Sequence, residues 1–126
     1  MIVKTIRMIA TLSFVVYAIV AGYMEGYFWA AKPKVDQHMS HAVLAFSRGL
    51  VLAPVLFYEG WQCCFAAAAF FPLIHDGVYY MTRNHINPAV YPLGFMDKSL
   101  STGAIFSLSF GYRLLLALLG ILVLFV

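Results

Sequence analysis

Apolar positions in this chain run in long blocks broken by short polar stretches, with no alternation of the strand type. The first block is charge-free from Met8 to Tyr23 and extends through Trp29, ending at Lys32-Pro33-Lys34. A hydrophobic run of this length is the pattern of a membrane-spanning helix, which needs roughly 20 apolar residues. Tyr23, Tyr27, Phe28 and Trp29 close the run as an aromatic belt of the kind found at membrane–water interfaces. Proline and two lysines then stop the helix. A cleaved signal peptide is the alternative, but its apolar region runs to only about 7–15 residues.

The second block, Ala42–Ile74, has 33 residues. That exceeds the roughly 25 that one tilted helix takes. Its natural break is Tyr58-Glu59-Gly60-Trp61-Gln62, where a glycine turn sits between two interfacial aromatics. The block therefore predicts a hairpin of two short helices, or else a re-entrant pair that does not fully cross. From His75 onward the chain turns amphipathic, and Asn87-Pro88 and Tyr91-Pro92-Leu93-Gly94 are turn signals. The run Asp97–Thr102 supplies cap residues for a last apolar helix to Val126.

The resulting expectation is an all-α integral membrane protein. It is a single small bundle of about four transmembrane helices over residues 6–31, 42–58, 61–75 and 103–126. An amphipathic interfacial connector at 76–102 precedes the last helix, and three or fewer spans is the alternative. Four spans would place the 32–40 link and the 75–102 segment at one side of the membrane. The N-terminus, Glu59 and the C-terminus would lie at the other. Counting Lys32, Lys34, Arg83 and Lys98 against Lys4 and Arg7 puts the connector side in the cytoplasm.

Composition fits the same solvent. Of 126 residues, 63% are hydrophobic and 10% charged, with a mean hydropathy of +0.88. A soluble domain carries about 25% charged residues. A net charge of +3 is too small to imply a nucleic-acid partner, so the expected partners are membrane lipids and a second copy or a larger membrane complex. Cys63 and Cys64 are adjacent in an apolar run and read as reduced, small side chains.

Polar residues inside spans are the chemical candidates, because each costs about 2.5–3.5 kcal/mol at a helix centre. Glu25 and Arg48 are expected level with each other, roughly 10 Å below one interface, and able to pair. Arg113 is expected deeper, about 15 Å in. These three read as a structural pair with a snorkelling arginine, or as a path for protons or anions. The densest polar cluster is His75, Asp76, Arg83 and His85, with Asp97 later. An acid, a base and a phosphate-binding arginine are what chemistry on a lipid headgroup requires, so these five are the candidate catalytic residues. His38 and His41 have an i, i+3 spacing that suits a metal, but no histidine box accompanies them, and neither a metal nor a cofactor is expected. No P-loop, nucleophile elbow or HExxH motif occurs.

Small residues recur at helical spacing: Ala18, Gly22, Gly26 and Ala30 in the first span, Ala45, Gly49 and Ala53 in the second, and Gly103, Ser107 and Gly111 in the last. Such faces let helix backbones approach closely, within one chain or between copies. The first functional expectation is thus a structural or oligomer-forming subunit of a membrane complex, including a holin-like pore. An interfacial enzyme or lipid-binding protein and a proton or anion conductor are the alternatives.

Overall fold

The computed structural model describes residues 2–31, 37–89, 91–97 and 108–126. All regular structure among them is helical: α1 (Ile2–Ala31), α2 (Gln37–Glu59), α3 (Trp61–Phe71), α4 (Gly77–Ile86) and α5 (Phe110–Val123). A π-helical turn, Pro72–Asp76, joins α3 to α4, and a 3₁₀ turn, Gly94–Met96, lies between α4 and α5.

Gly60 makes the corner between α2 and α3. Its φ of 91° lies where only glycine sits without strain, and a Cβ there would meet nothing within 4 Å. The residue is therefore required by conformation, not by space. Helix α3 then folds back along α2, so that Val55 packs with Ala67, and Arg48 reaches Phe71 and His75. Between them Phe14 of α1 completes a buried apolar layer with Val55 and Ala67.

Among the described residues, three polar ties join α1 to the antiparallel α2. Glu59 accepts from the backbone N–H of Thr11 at 3.1 Å and from its hydroxyl. Tyr17 and Ser47 hydroxyls lie 3.3 Å apart, and Arg48 meets Glu25. Against α3–α4, α1 runs parallel: Phe14 meets Phe71, Gly22 meets His75 and Gly26 meets Tyr79. Helix α5 returns antiparallel to α3, with Gly120 on Ala66 and Ala69 and Arg113 near Tyr80. The order is up-down-up-down, which brings Thr11, Glu59 and Leu124 to one end and Glu25, His75 and Arg113 toward the other.

Two stretches, Ile9–Phe28 and Trp61–Ile86, are long and apolar enough to cross a membrane. The second runs on past His75. The helix end expected there is instead a π-turn inside one 26-residue helix. Pro72 lacks the N–H that an unbroken α-ladder needs, and widening to i→i+5 bonds lets the helix continue. The expected connector is accordingly helical as far as Ile86, and its described residues beyond, 87–89 and 91–97, form turns and the 3₁₀ turn Gly94–Met96.

The last helix also departs from expectation. It starts at Phe110, not Gly103, with Ser109 as its N-cap and the Ser109 hydroxyl accepting from Tyr112 N–H at 3.5 Å. Its 14 residues rise about 21 Å, less than the roughly 30 Å of a bilayer's hydrocarbon core. Outward faces are apolar on every long helix: Leu12, Val16 and Val20 of α1, Phe46 and Phe57 of α2, and Leu115 and Leu122 of α5 are all exposed.

Candidate functional site

The polar residues of three helices meet where α1 crosses the π-turn. Close approach comes first. Gly22 and Gly26 present no side chain, and a Cβ would come within 2.6 Å of the His75 carbonyl at the first and 2.9 Å of the Tyr79 carbonyl at the second. Ala18, on the same face, is fully buried, and Ala30 is half-buried. The small-residue face of α1 is thus spent inside the chain, on α3–α4.

That approach delivers Glu25 to His75. Glu25 Oε2 lies 2.8 Å from His75 Nε2, and His75 Nδ1 lies 2.9 Å from Asp76 Oδ1. From α2, Arg48 Nη2 reaches both Glu25 oxygens, at 3.3 and 3.2 Å, and stands 3.4 Å from His75 Nε2. The His75 side chain is 5% exposed. One imidazole therefore has a carboxylate on each nitrogen, with a guanidinium beside the more buried carboxylate. Burial among apolar helices strengthens these attractions and makes any unpaired member expensive.

An aromatic column frames the cluster. Phe71 stacks on His75 with ring centroids 4.7 Å apart, and Tyr79 stacks on the other side at 6.4 Å. The Arg48 guanidinium lies 4.9 Å from the Phe71 ring centre. The rings fix the imidazole plane and hold water away from its faces.

The sequence-expected residues divide accordingly. Glu25 and Arg48 pair, and His75 and Asp76 join them. Arg83 stands two turns along: its Nη1 donates to the Tyr79 hydroxyl at 2.8 Å, and its guanidinium lies 4.8 Å from the Tyr91 ring. His85 is exposed in the last turn of α4, about 15 Å of helix rise from His75. Asp97 is buried, but its Oδ2 accepts from Leu93 N–H at 2.8 Å, which makes it a loop cap. Of the five residues expected to act together, only His75 and Asp76 are brought together, and Arg83, His85 and Asp97 each stand elsewhere.

Arg113 stands at the start of its helix, not midway along it. It lies in the first turn of α5, fully buried, and its Nη2 donates to the carbonyls of Phe95 at 3.1 Å and Asp97 at 2.9 Å. A cation there opposes the helix dipole. The two carbonyls and the faces of Tyr80 and Phe110, 5.3 and 5.6 Å away, compensate. The expectation failed because α5 begins seven residues later than the apolar pattern does.

Gly111 is exposed on α5, and among the described residues a Cβ there would meet no other helix, whereas Gly103 and Ser107 lie outside the described residues. The close contact of α5 comes from Gly120, where a Cβ would sit 3.0 Å from Ala69 Cβ. Its signal was the i, i+3 pair Ala117 and Gly120, both buried. Ala45 and Gly49 face outward on α2, and Ala53 is half-buried. Thr11, Gly77 and Phe95 were also missed; only contacts made by distant parts of the chain reveal them.

The side chains of His38 and His41 lie outside the described part, and among the described residues no group of three His, Cys, Asp or Glu suits a metal ion. Cys63 and Cys64 are free thiols. No protein family, characterised protein or solved structure matches the chain.

Proposed function

We propose that this is a multi-pass membrane protein that takes up and releases a proton at a buried Glu25–His75–Asp76 site. The reading rests on one observation: both ring nitrogens of His75 face carboxylates, at 2.8 and 2.9 Å. Histidine changes charge near neutral pH, and histidine–carboxylate chains inside membranes serve as proton relays. Here the proton passes between carboxylate and imidazole along existing hydrogen bonds, so no group has to move far.

The site is one-sided. Below it, Phe14, Val55 and Ala67 form a buried apolar layer between it and the Thr11–Glu59 pair, which disfavours passage of a charge in that direction. A proton therefore exchanges with the end of the bundle where α4 and residues 91–97 lie. On this reading Glu25 and Arg48 belong to a site that binds a proton without steady conduction, and Arg113 stands apart from it. A hydrolytic role is less well supported, since a general base needs a free nitrogen and neither nitrogen of His75 is free.

The deciding experiment is ¹⁵N-histidine NMR of the protein in nanodiscs across about pH 4 to 9. The His75 ring should titrate, and Glu25→Gln should change that titration. A His75 ring that keeps one protonation state over the whole range ends the reading. Proteoliposomes should show no steady proton current.

A second reading, an oligomer-forming subunit, draws on the outer face of α2. Gly49 has open space where a Cβ would point, with Phe46 and Leu50 exposed beside it. A second copy seated on that ridge would give a defined oligomer by native mass spectrometry in mild detergent, lost on Gly49→Leu. A monomer before and after the substitution removes it.

A further inference from the structure

Of the two carboxylates on His75, Asp76 is the more open. Its side chain is 30% exposed, against 13% for Glu25. Any traffic with water passes Asp76 first. The next residue, Gly77, is buried, and a Cβ there would run into the ring of Phe95. Phe95 thus occupies, beside Asp76, a slot that exists only because position 77 has no side chain.

Several interactions seat Phe95 there. Arg113 donates to the Phe95 and Asp97 carbonyls. Asp97 caps Leu93 N–H, which closes the loop around the 3₁₀ turn. Asn84 of α4 donates to the Tyr91 carbonyl, and the Tyr91 ring stacks on Tyr80 at 5.9 Å. The carboxylates of Asp76 and Asp97 both act on Arg113, which also lies over the Tyr80 ring, so the clamp and the site share one electrostatic neighbourhood. From α1 and α2 the groups facing His75 are Glu25 and Arg48.

We propose that residues 91–97 form the cover of the proton site, and that Arg113 is a positioning residue which holds Phe95 against Gly77 and so limits water at Asp76. This inference rests on the proton-binding reading for its purpose, but its geometry stands by itself. A guanidinium suits the task because one nitrogen can serve two carbonyls while its face packs on aromatic rings. Lysine offers a compact charge without that face.

The test labels carboxyl groups with a water-soluble carbodiimide and an amine nucleophile, on the full chain in nanodiscs, and quantifies each site by mass spectrometry. Phe95→Ala should raise Asp76 labelling by up to roughly threefold, the gain that full exposure of a side chain now 30% exposed allows. Arg113→Gln should do the same, and Glu59 at the far end should be unaffected in both. If Arg113→Gln fails to fold, Phe95→Ala alone decides. Asp76 labelling unchanged in a folded Phe95→Ala protein overturns the cover. A His75 that never titrates would end the proton reading without altering the labelling result, so the two failures are distinguishable.

Discussion

Glu25 and His75, fifty residues apart in sequence, meet at 2.8 Å with the imidazole almost fully buried. Their contact joins α1 to the π-turn, and Arg48 adds α2 to the same point. Removing one partner of such a buried pair leaves the other uncompensated and costs about 3–5 kcal/mol. Glu25→Ala should therefore lower the thermal unfolding midpoint in detergent far more than Glu25→Gln, which keeps an acceptor for Arg48 and His75. Midpoints for both variants equal to that of the unsubstituted protein would mean that the carboxylate carries no structural load.

Gly22 has no room to grow. Gly22→Leu would push a side chain into the His75 carbonyl and Val78. Overpacking of this kind costs about 1–3 kcal/mol. The substitution should destabilise the isolated chain and disturb the His75 ring signal, with no dependence on protein concentration. A loss that appears only as reduced self-association would place this glycine at an interface between copies.

Arg113→Lys tests how the clamp works. The lysine keeps the charge but loses the planar fork and its stacking on Tyr80 and Phe110. Two buried carbonyls are then poorly served, at about 1–3 kcal/mol for each group left unpaired. Amide exchange at residues 91–97 should accelerate, while α1 and α2 keep their protection. Uniform acceleration over all helices would show instead that Arg113 supports the whole bundle.

The up-down-up-down order makes a topological prediction. With Cys63 and Cys64 replaced by alanine, cysteines placed at Phe57, which is 82% exposed, and at exposed Asn87 should react with a membrane-impermeant maleimide from opposite sides of sealed vesicles. Labelling of both from one side would exclude a crossing between them.

Much of the helical framework was legible because its signals are local. The apolar block before Lys32, the aromatics that end it and the corner at Gly60 depend on solvent preference and backbone sterics. The pairing of Glu25 with Arg48 was also legible, because equal distances from one turn put both at one level on antiparallel helices. Asp97 and His85 misled for the opposite reason. Their chemistry is that of catalytic residues, but one caps a loop and the other points outward on α4. Side-chain type states what a residue can do and nothing about what it faces.

The last helix shows the same division in the backbone. Apolar character begins near Gly103, yet α5 begins at Phe110, where Ser109 caps it and Arg113 binds the carbonyls of Phe95 and Asp97. That one shift moved Arg113 from an expected place within the bilayer to the polar end of the bundle.

By itself the sequence determined that the chain is helical and apolar, where α1 and α2 stop, and that Glu25 and Arg48 share a level, since these follow from hydrophobic blocks, turn residues and helical rise. Only the tertiary structure decided that His75 bridges two carboxylates, that the α1 glycines are spent within the chain, and that Phe95 fills the slot at Gly77. Each of those depends on angle and distance between helices far apart in sequence, which side-chain volumes set only once the bundle has packed.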